Sequence, residues 1–223
     1  MIPTCFNLLN SSAITQKAVA GINGTENGSP SYESCFFGNG VRTAASKYVD
    51  LLNLFSTYTG LRVKGCIEFW AKHTQNSSSY VRNDRVFDAE YGGIHLTWGE
   101  VYNNNRFEFR ADDNGPPYSY VVVESSAASY SAGDKTHFAC VWDLVNHFGG
   151  TQDIRLYING NLDNAIYHAP ASPVNSINTN TNYLRIGDSA GSPVSCDMVI
   201  ENFKIWSYPK TDFSDRFYPL WRT

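Results

Sequence analysis

From residue 63 onward the chain places apolar and polar residues in short alternating runs, each ended by Gly, Asn, Asp, Ser or Pro. A period of two sends successive side chains to opposite faces of a pleated strand, and turn-forming punctuation between such runs marks antiparallel strands. VKGCIEFWAKH (63–73) puts Ile67, Phe69 and Ala71 on one face and Cys66, Glu68, Trp70 and Lys72 on the other. RVFDAEY (85–91), GIHLTW (93–98), RFEFRA (106–111) and SYVVVE (119–124) follow, with NNN (103–105) and DDNGPP (112–117) as turns. THFACVWD (136–143) and DIRLYI (153–158) come next, then a hairpin signal at Asn159-Gly160, a return through DNAIYH (163–168), and YLRIGD (183–188).

The run MVIENFKIW (198–206) is apolar on both faces. Strict alternation predicts Val199, Phe203 and Ile205 on one side and Met198, Ile200 and Trp206 on the other, with Glu201, Asn202 and Lys204 at solvent or an edge. Pro209 cannot donate to a ladder and stops the strand. DFSDRF after it predicts one helical turn, with Thr211 as N-cap, Asp212 near the positive end, and Phe213 and Phe217 on one face. TAASKYVDLLNLFSTYT (43–59) supports a helix by the spacing of Tyr48, Leu51, Leu52 and Phe55, and a strand by its β-branched and aromatic residues. Many strands joined by turns, without alternating helices, predict an all-β antiparallel sandwich or barrel. No linker, repeat or composition break divides residues 1–223, so one domain is expected.

Charge and composition narrow the partners. The chain has 17 basic and 21 acidic residues, a net charge of -4, and no basic cluster interleaved with aromatics, which argues against nucleic acid and anionic membrane. Its longest apolar runs, such as YVVV (120–123), fall far short of the roughly 20 residues a membrane-spanning helix needs. MIPTCFNLLNSS has neither the basic nor the long apolar region of a signal peptide. Sequons at Asn10, Asn23, Asn27 and Asn76 occur at about the frequency that chance would produce. The Asn, Ser, Thr and Tyr content fits an extracellular, cell-surface or virion-surface setting. The five cysteines, at 5, 35, 66, 140 and 196, match no metal or redox spacing, and an odd count leaves at least one thiol unpaired within a monomer.

The order FGNGVRT (37–43), KGCIEFWAKH, HFACVWD, IRLYINGNLDNA (154–165), LRIGD and VIENFKIWSYPKTDFSDRF resembles a laminin G-like or pentraxin-type jelly roll of the concanavalin A-like class, over roughly residues 35–217. The resemblance implies a jelly-roll sandwich closed by the IENFKIW strand. Pentraxins bridge two strands similar to KGCIEFW and HFACVWD, which implies a Cys66–Cys140 disulfide; Cys5 with Cys35 is a second pairing, leaving Cys196 as the odd thiol. The resemblance also implies calcium at the sandwich rim, held by oxygen ligands. By position the ligands would be Asp88, Glu90 and Asp188, although the loop from Asp188 to Asp197 lacks the acidic run of a double site and Asp188 also reads as a turn residue.

The same class contains glucan hydrolases, and retaining hydrolysis needs two carboxyls about 5–5.5 Å apart. No E-x-D occurs in the chain; Asp88 and Glu90 share a strand face, as solvated carboxylates also would. The histidines at 73, 95, 137, 147 and 168 are scattered, and no H-E-x-x-H or G-x-S-x-G is present. Sugar recognition needs an aromatic platform with hydrogen-bonding groups. Tyr91, Trp98, Tyr102, Asn103 and Arg106 form the densest such mixture, with core packing the alternative role for Trp98. The reading is a non-catalytic binding or adhesion module with a glycan or glycoprotein partner. The alternatives are a structural or decoration subunit of a virion or surface assembly, including a homo-oligomer, and a glycan-cleaving enzyme.

Overall fold

A computed structural model describes residues 5–7, 22–80, 84–89, 93–99, 105–113, 119–170, 172–177, 183–189 and 195–217. In chain order its strands are β1 (Cys5–Asn7), β2 (Gly24–Asn27), β3 (Ser31–Ser34), β4 (Asn39–Thr43), β5 (Tyr48–Leu52), β6 (Lys64–His73), β7 (Asp84–Asp88) and β8 (Ile94–Trp98). They continue with β9 (Phe107–Asp112), β10 (Tyr120–Glu124), β11 (Lys135–Asp143), β12 (Ile154–Ile158), β13 (Asn161–Leu162), β14 (Ile166–His168), β15 (Tyr183–Ile186) and β16 (Met198–Trp206). The strands form two antiparallel sheets of eight. The first is ordered β13-β12-β11-β6-β16-β4-β3 with β1 also on β16; the second is ordered β14-β10-β9-β8-β7-β15-β5-β2. The expected all-β concanavalin A-like sandwich is the observed fold.

The core lies between the sheets, where Ile67, Phe69, Phe138, Cys140, Trp142, Phe203 and Ile205 of the first sheet meet Leu51, Phe87, Leu96, Phe109, Val121 and Leu184 of the second. Phe69 stacks on Phe138 and Phe203 at 5.5 and 5.6 Å, which fixes three neighbouring strands at one point. The ambiguous segment 43–59 contains both elements. Val49 and Leu51 alternate into the core as β5, and Asn53, at φ 59, breaks the strand before a single helical turn at Leu54–Thr57.

Strand β16 corrects the expected alternation. A bulge lies between Glu201 and Lys204, with Asn202 at φ 54. One inserted residue reverses the phase of everything after it. Met198 and Ile200 therefore share the core with Phe203 and Ile205, while Lys204 and Trp206 face outward. Glu201, Asn202 and Lys204 are not solvent residues; they are 2%, 3% and 2% exposed.

The outer face of the first sheet is covered by the segment after β16. Phe213 packs with Cys66, Val141, Tyr157 and Trp206, and the Lys210 ammonium reaches Glu68 at 2.8 Å. Trp70 Nε1 donates to the Arg216 carbonyl at 3.0 Å. The predicted turn is a short 3-10 helix at Ser214–Phe217, and the Ser214 backbone N–H at its start donates to Asp212 Oδ1 at 2.9 Å. Phe213 is buried, whereas Phe217 stays 46% exposed.

The expected disulfides are also corrected. Cys35, Cys66, Cys140 and Cys196 are free, buried thiols. In the ladder, Cys66 lies opposite Val141 and Cys140 lies opposite Ile67. Directly opposed residues share a face and their chain neighbours take the other one. Cys66 consequently packs on the outer face and Cys140 in the core, so the sheet itself separates the two sulfurs. The Cys35 Sγ–H instead contacts the Val199 carbonyl at 3.6 Å, which removes the second pairing.

Candidate functional site

The second sheet turns an apolar inner face to the core, and its opposite face is mostly polar, with Val122 as an apolar member. On the opposite face, the ladders align Thr25, Asp50, Arg185, Asp88, His95, Arg110, Val122 and His168 in one row across all eight strands. Their chain neighbours Leu51, Leu184, Phe87, Leu96, Phe109 and Val121 are core residues, which fixes the direction of the row. Adjacent to it, Thr97, Glu108 and Glu124 form a second polar row, and Asp112 pairs with Tyr120 on a third.

Most of these groups are recessed. Asp50 and Asp88 are each 8% exposed, His95 6% and Asp112 5%, while Glu108 and Glu124 are almost fully buried. Charged groups withdrawn from water need partners. Arg185 grips Asp50 with two nearly parallel bonds, at 2.9 and 3.2 Å, and its guanidinium lies 3.9 Å over the Tyr48 ring. His168 Nε2 approaches Glu124 at 2.5 Å, and Arg106 Nε lies 3.7 Å from the same carboxylate. Glu108 and Glu124 sit directly opposite each other in the ladder, and the Arg106 guanidinium offsets the repulsion between them.

Arg110 pairs with Asp112 at 3.0 Å and lies 4.1 Å over the ring of Tyr120, which is 41% exposed. Burial pushes the Asp112 carboxyl up, against the pull of Arg110 and His95. Its Oδ1 is buried without a hydrogen-bond partner. The face thus combines a fixed guanidinium, recessed carboxylates and an accessible tyrosine, a mixture able to hydrogen-bond a hydroxyl-rich ligand while stacking on it.

Only part of the predicted patch belongs here. Trp98 is 3% exposed and packs among Phe107, Tyr80 and Tyr130 at 4.9, 5.5 and 6.0 Å, so it is a core residue and no platform. Arg106 is on the polar face, with its Nη1 donating to the Ser125 carbonyl at 2.5 Å. Tyr91, Tyr102 and Asn103 lie outside the described residues.

Asp88 and Asp188 do approach one another. Ser189 links them, its hydroxyl donating to Asp88 at 3.1 Å and its N–H to Asp188 at 2.7 Å. Burial raises the Asp188 carboxyl, and Arg185 partly opposes that push. Glu90 lies outside the described residues. Among the described residues no three His, Cys, Asp or Glu side chains converge to hold an ion, and calcium takes six to eight oxygens.

Asp50, His95, Arg110, Tyr120, His168 and Arg185 were missed from sequence. Their signal was the polar phase of the alternation, which on any single strand looks like a solvated surface; the register of eight strands makes the row.

Known structures share this architecture. The chain matches the receptor binding domain of botulinum neurotoxin C/D mosaic serotype with a TM-score of 0.66 at 14% identity, over 93% of this chain and 48% of that one. Domain 4 of AbnA, a GH43 extracellular arabinanase from Geobacillus stearothermophilus in complex with arabinotriose, matches with a TM-score of 0.63 at 14% identity, over 93% of both chains. The binding domain of botulinum neurotoxin DC in complex with SialylT matches with a TM-score of 0.59 at 14% identity, over 98% of this chain and 50% of that one. The chain therefore spans about half the length of the toxin binding domains, and at this identity the likeness establishes the fold. No curated protein sequence matches it. A laminin G-type family model covers residues 43–212, and the chain accordingly belongs to the concanavalin A-like lectin/glucanases superfamily.

Proposed function

We propose that this protein is a non-catalytic binding module that recognises carbohydrate, free or on a glycoprotein, on the outer face of its second sheet. The observation that carries the reading is the row on the face away from the core, polar on seven of its eight strands and apolar at Val122, with Tyr120 exposed at Arg110. Arg110 and His95 would donate to sugar oxygens, Asp112 and Asp88 would accept from hydroxyls, and Tyr120 would stack on a ring face. Arg185 and Asp50 hold each other, so they would position the row rather than contact the sugar. A binding role is supported by the structural neighbours, which are described as binding domains or as a domain bound to arabinotriose. The description of one neighbour as extracellular supports a place outside the cell.

The test is titration with a panel of neutral and sialylated oligosaccharides that includes arabinotriose. Binding by at least one member is expected, with Tyr120→Ala and Arg110→Ala each weakening it about tenfold, roughly 1.4 kcal/mol. Chelator is expected to leave the affinity unchanged. No binding across the panel, or binding indifferent to both substitutions, overturns the reading. Sugar release from a polysaccharide panel that is lost in Glu108→Gln or Glu124→Gln would overturn its non-catalytic part.

A further inference from the structure

The polar face of the second sheet contains one constellation twice. On β9 the Arg110 guanidinium pairs with Asp112 at 3.0 Å and lies 4.1 Å over the Tyr120 ring. On β15 the Arg185 guanidinium pairs with Asp50 at 2.9 Å and lies 3.9 Å over the Tyr48 ring, with the Tyr183 ring at 5.3 Å. Each unit is an arginine fixed by its own carboxylate and by an aromatic ring. Both arginines stand on the same row, with Asp88 and His95 between them. Strands β8 and β7 separate β9 from β15, so the two units begin three strand spacings apart, about 14 Å.

The register also places the rings. Tyr120 lies opposite Asp112, two residues after Arg110 on β9, and Tyr183 comes two residues before Arg185 on β15. Successive antiparallel pairings make β9 and β15 run in opposite directions. Tyr120 and Tyr183 therefore flank the same side of the row, and Tyr48 flanks the other. The strands that carry Tyr120 and Tyr183, β10 and β15, are four spacings apart, about 19 Å. Tyr120 is exposed and Tyr183 half-buried, whereas Asp88 and His95 between them are recessed.

A recessed polar floor between more accessible aromatic rings matches a molecule with polar edges and apolar ring faces, repeated along its length. A pyranose ring is about as wide as one strand spacing, so a single sugar reaches one unit and several linked rings are needed to engage both. Charge narrows the class further. Each guanidinium is already answered by a carboxylate, and Asp88 adds negative charge between the units, so an acidic glycan finds no uncommitted cation in either unit and meets a carboxylate between them. With this face read as a carbohydrate site, as proposed above, we infer that its ligand is a neutral, linear oligosaccharide of several rings laid across the strands. Tyr120 and Tyr183 are the platforms at its two ends, and Asp88 and His95 meet the hydroxyls of the rings between.

The test is calorimetric titration of the full chain with neutral arabino-, xylo-, manno- and cello-oligosaccharides, each from disaccharide to hexasaccharide, beside a sialylated trisaccharide. In at least one neutral series the affinity is expected to rise about tenfold or more from disaccharide to hexasaccharide. Tyr183→Ala is expected to weaken the hexasaccharide about threefold more than the disaccharide, and the sialylated ligand is expected to bind no tighter than the neutral trisaccharide. Affinity that is independent of length overturns the inference and leaves the carbohydrate reading standing. Tighter binding of the sialylated ligand overturns the neutral class, and equal losses at every length in a Tyr183→Ala protein with the wild-type thermal midpoint overturn the second platform. Should that substitution lower the midpoint, the wild-type length series still decides. Absence of binding by every sugar removes the carbohydrate reading and this inference together.

Discussion

Glu68 is held between two lysines on the first sheet's outer face. It is 1% exposed and holds Lys204 at 2.9 Å and Lys210 at 2.8 Å. Burial alone would lower the Lys210 ammonium, but Glu68 and Asp215 outweigh it and the group is raised overall. Removing one partner of a buried pair strands the other charge, at a cost of about 3–5 kcal/mol. Glu68→Gln is therefore expected to lower the denaturant midpoint strongly, and a change under about 1 kcal/mol would show that the network is already solvated. Two histidines set the acid limb of stability. Burial lowers His73 to about 4 and His137 to about 3, the latter also repelled by Lys204, Lys210 and Arg216. Both stay neutral in the fold while the unfolded chain protonates below about 6.5. Their contribution is complete above that value and is lost as pH falls from about 6.5 towards 4, by up to about 1.4 kcal/mol per pH unit for each histidine. Thermal midpoints at pH 7, 6, 5 and 4.5 check this. His137→Phe, which removes a buried Nδ1 with no partner beside Trp70 and Phe213, is expected to reduce the slope.

Single elements were legible where one face is buried. The period-two pattern in β6, β8, β9, β11 and β12 sorted core from non-core positions because Phe69, Leu96, Phe109, Phe138 and Leu156 all lie in phase with their strands. Strand β16 was misread after Glu201 because an Asn inside an apolar run does not announce a bulge, and the left-handed backbone of Asn202 emerges only from its pairing with β6. Asn202 also leaves both amide atoms buried without partners. Asn202→Gly keeps the backbone accessible and deletes those groups, so it is expected to be neutral or stabilising. Asn202→Val is expected to cost about 1–2 kcal/mol or more from the strained backbone, and equal stability of the two variants would contradict the bulge. The cysteine error has the same origin, since parity along each strand was correct and the one-residue offset between β6 and β11 was invisible. A non-reducing digest is expected to return Cys66 and Cys140 as thiols, with reagent reaching Cys35, Cys66, Cys140 and Cys196 only on unfolding. Burial supports this by raising all four, Cys35 to about 12.

For the molecule as a whole, both sheets are covered or recessed on their outer faces, but by opposite means. The first is sealed by the segment from Ser207, through Phe213, Lys210 and the Arg216 carbonyl. Deleting that segment would expose Trp206 and leave Glu68 with Lys204 alone. Loss of the cooperative thermal transition is the expected result, and an unaltered transition would show that the segment is dispensable. The second sheet keeps its outer face polar, and there the binding reading rests. From the linear order of residues, the all-β sandwich, most strand positions and Arg106 as a polar-face residue were already decided, because alternation and turn chemistry act over a few neighbours. The Asp50–Arg185–Asp88–His95–Arg110 row, the burial of Trp98, the opposite faces of Cys66 and Cys140 and the covering of Trp206 by Lys210 depended on register and on the return of the chain end across a sheet. Those are long-range pairings, and no local run of residues encodes which strand lies beside it.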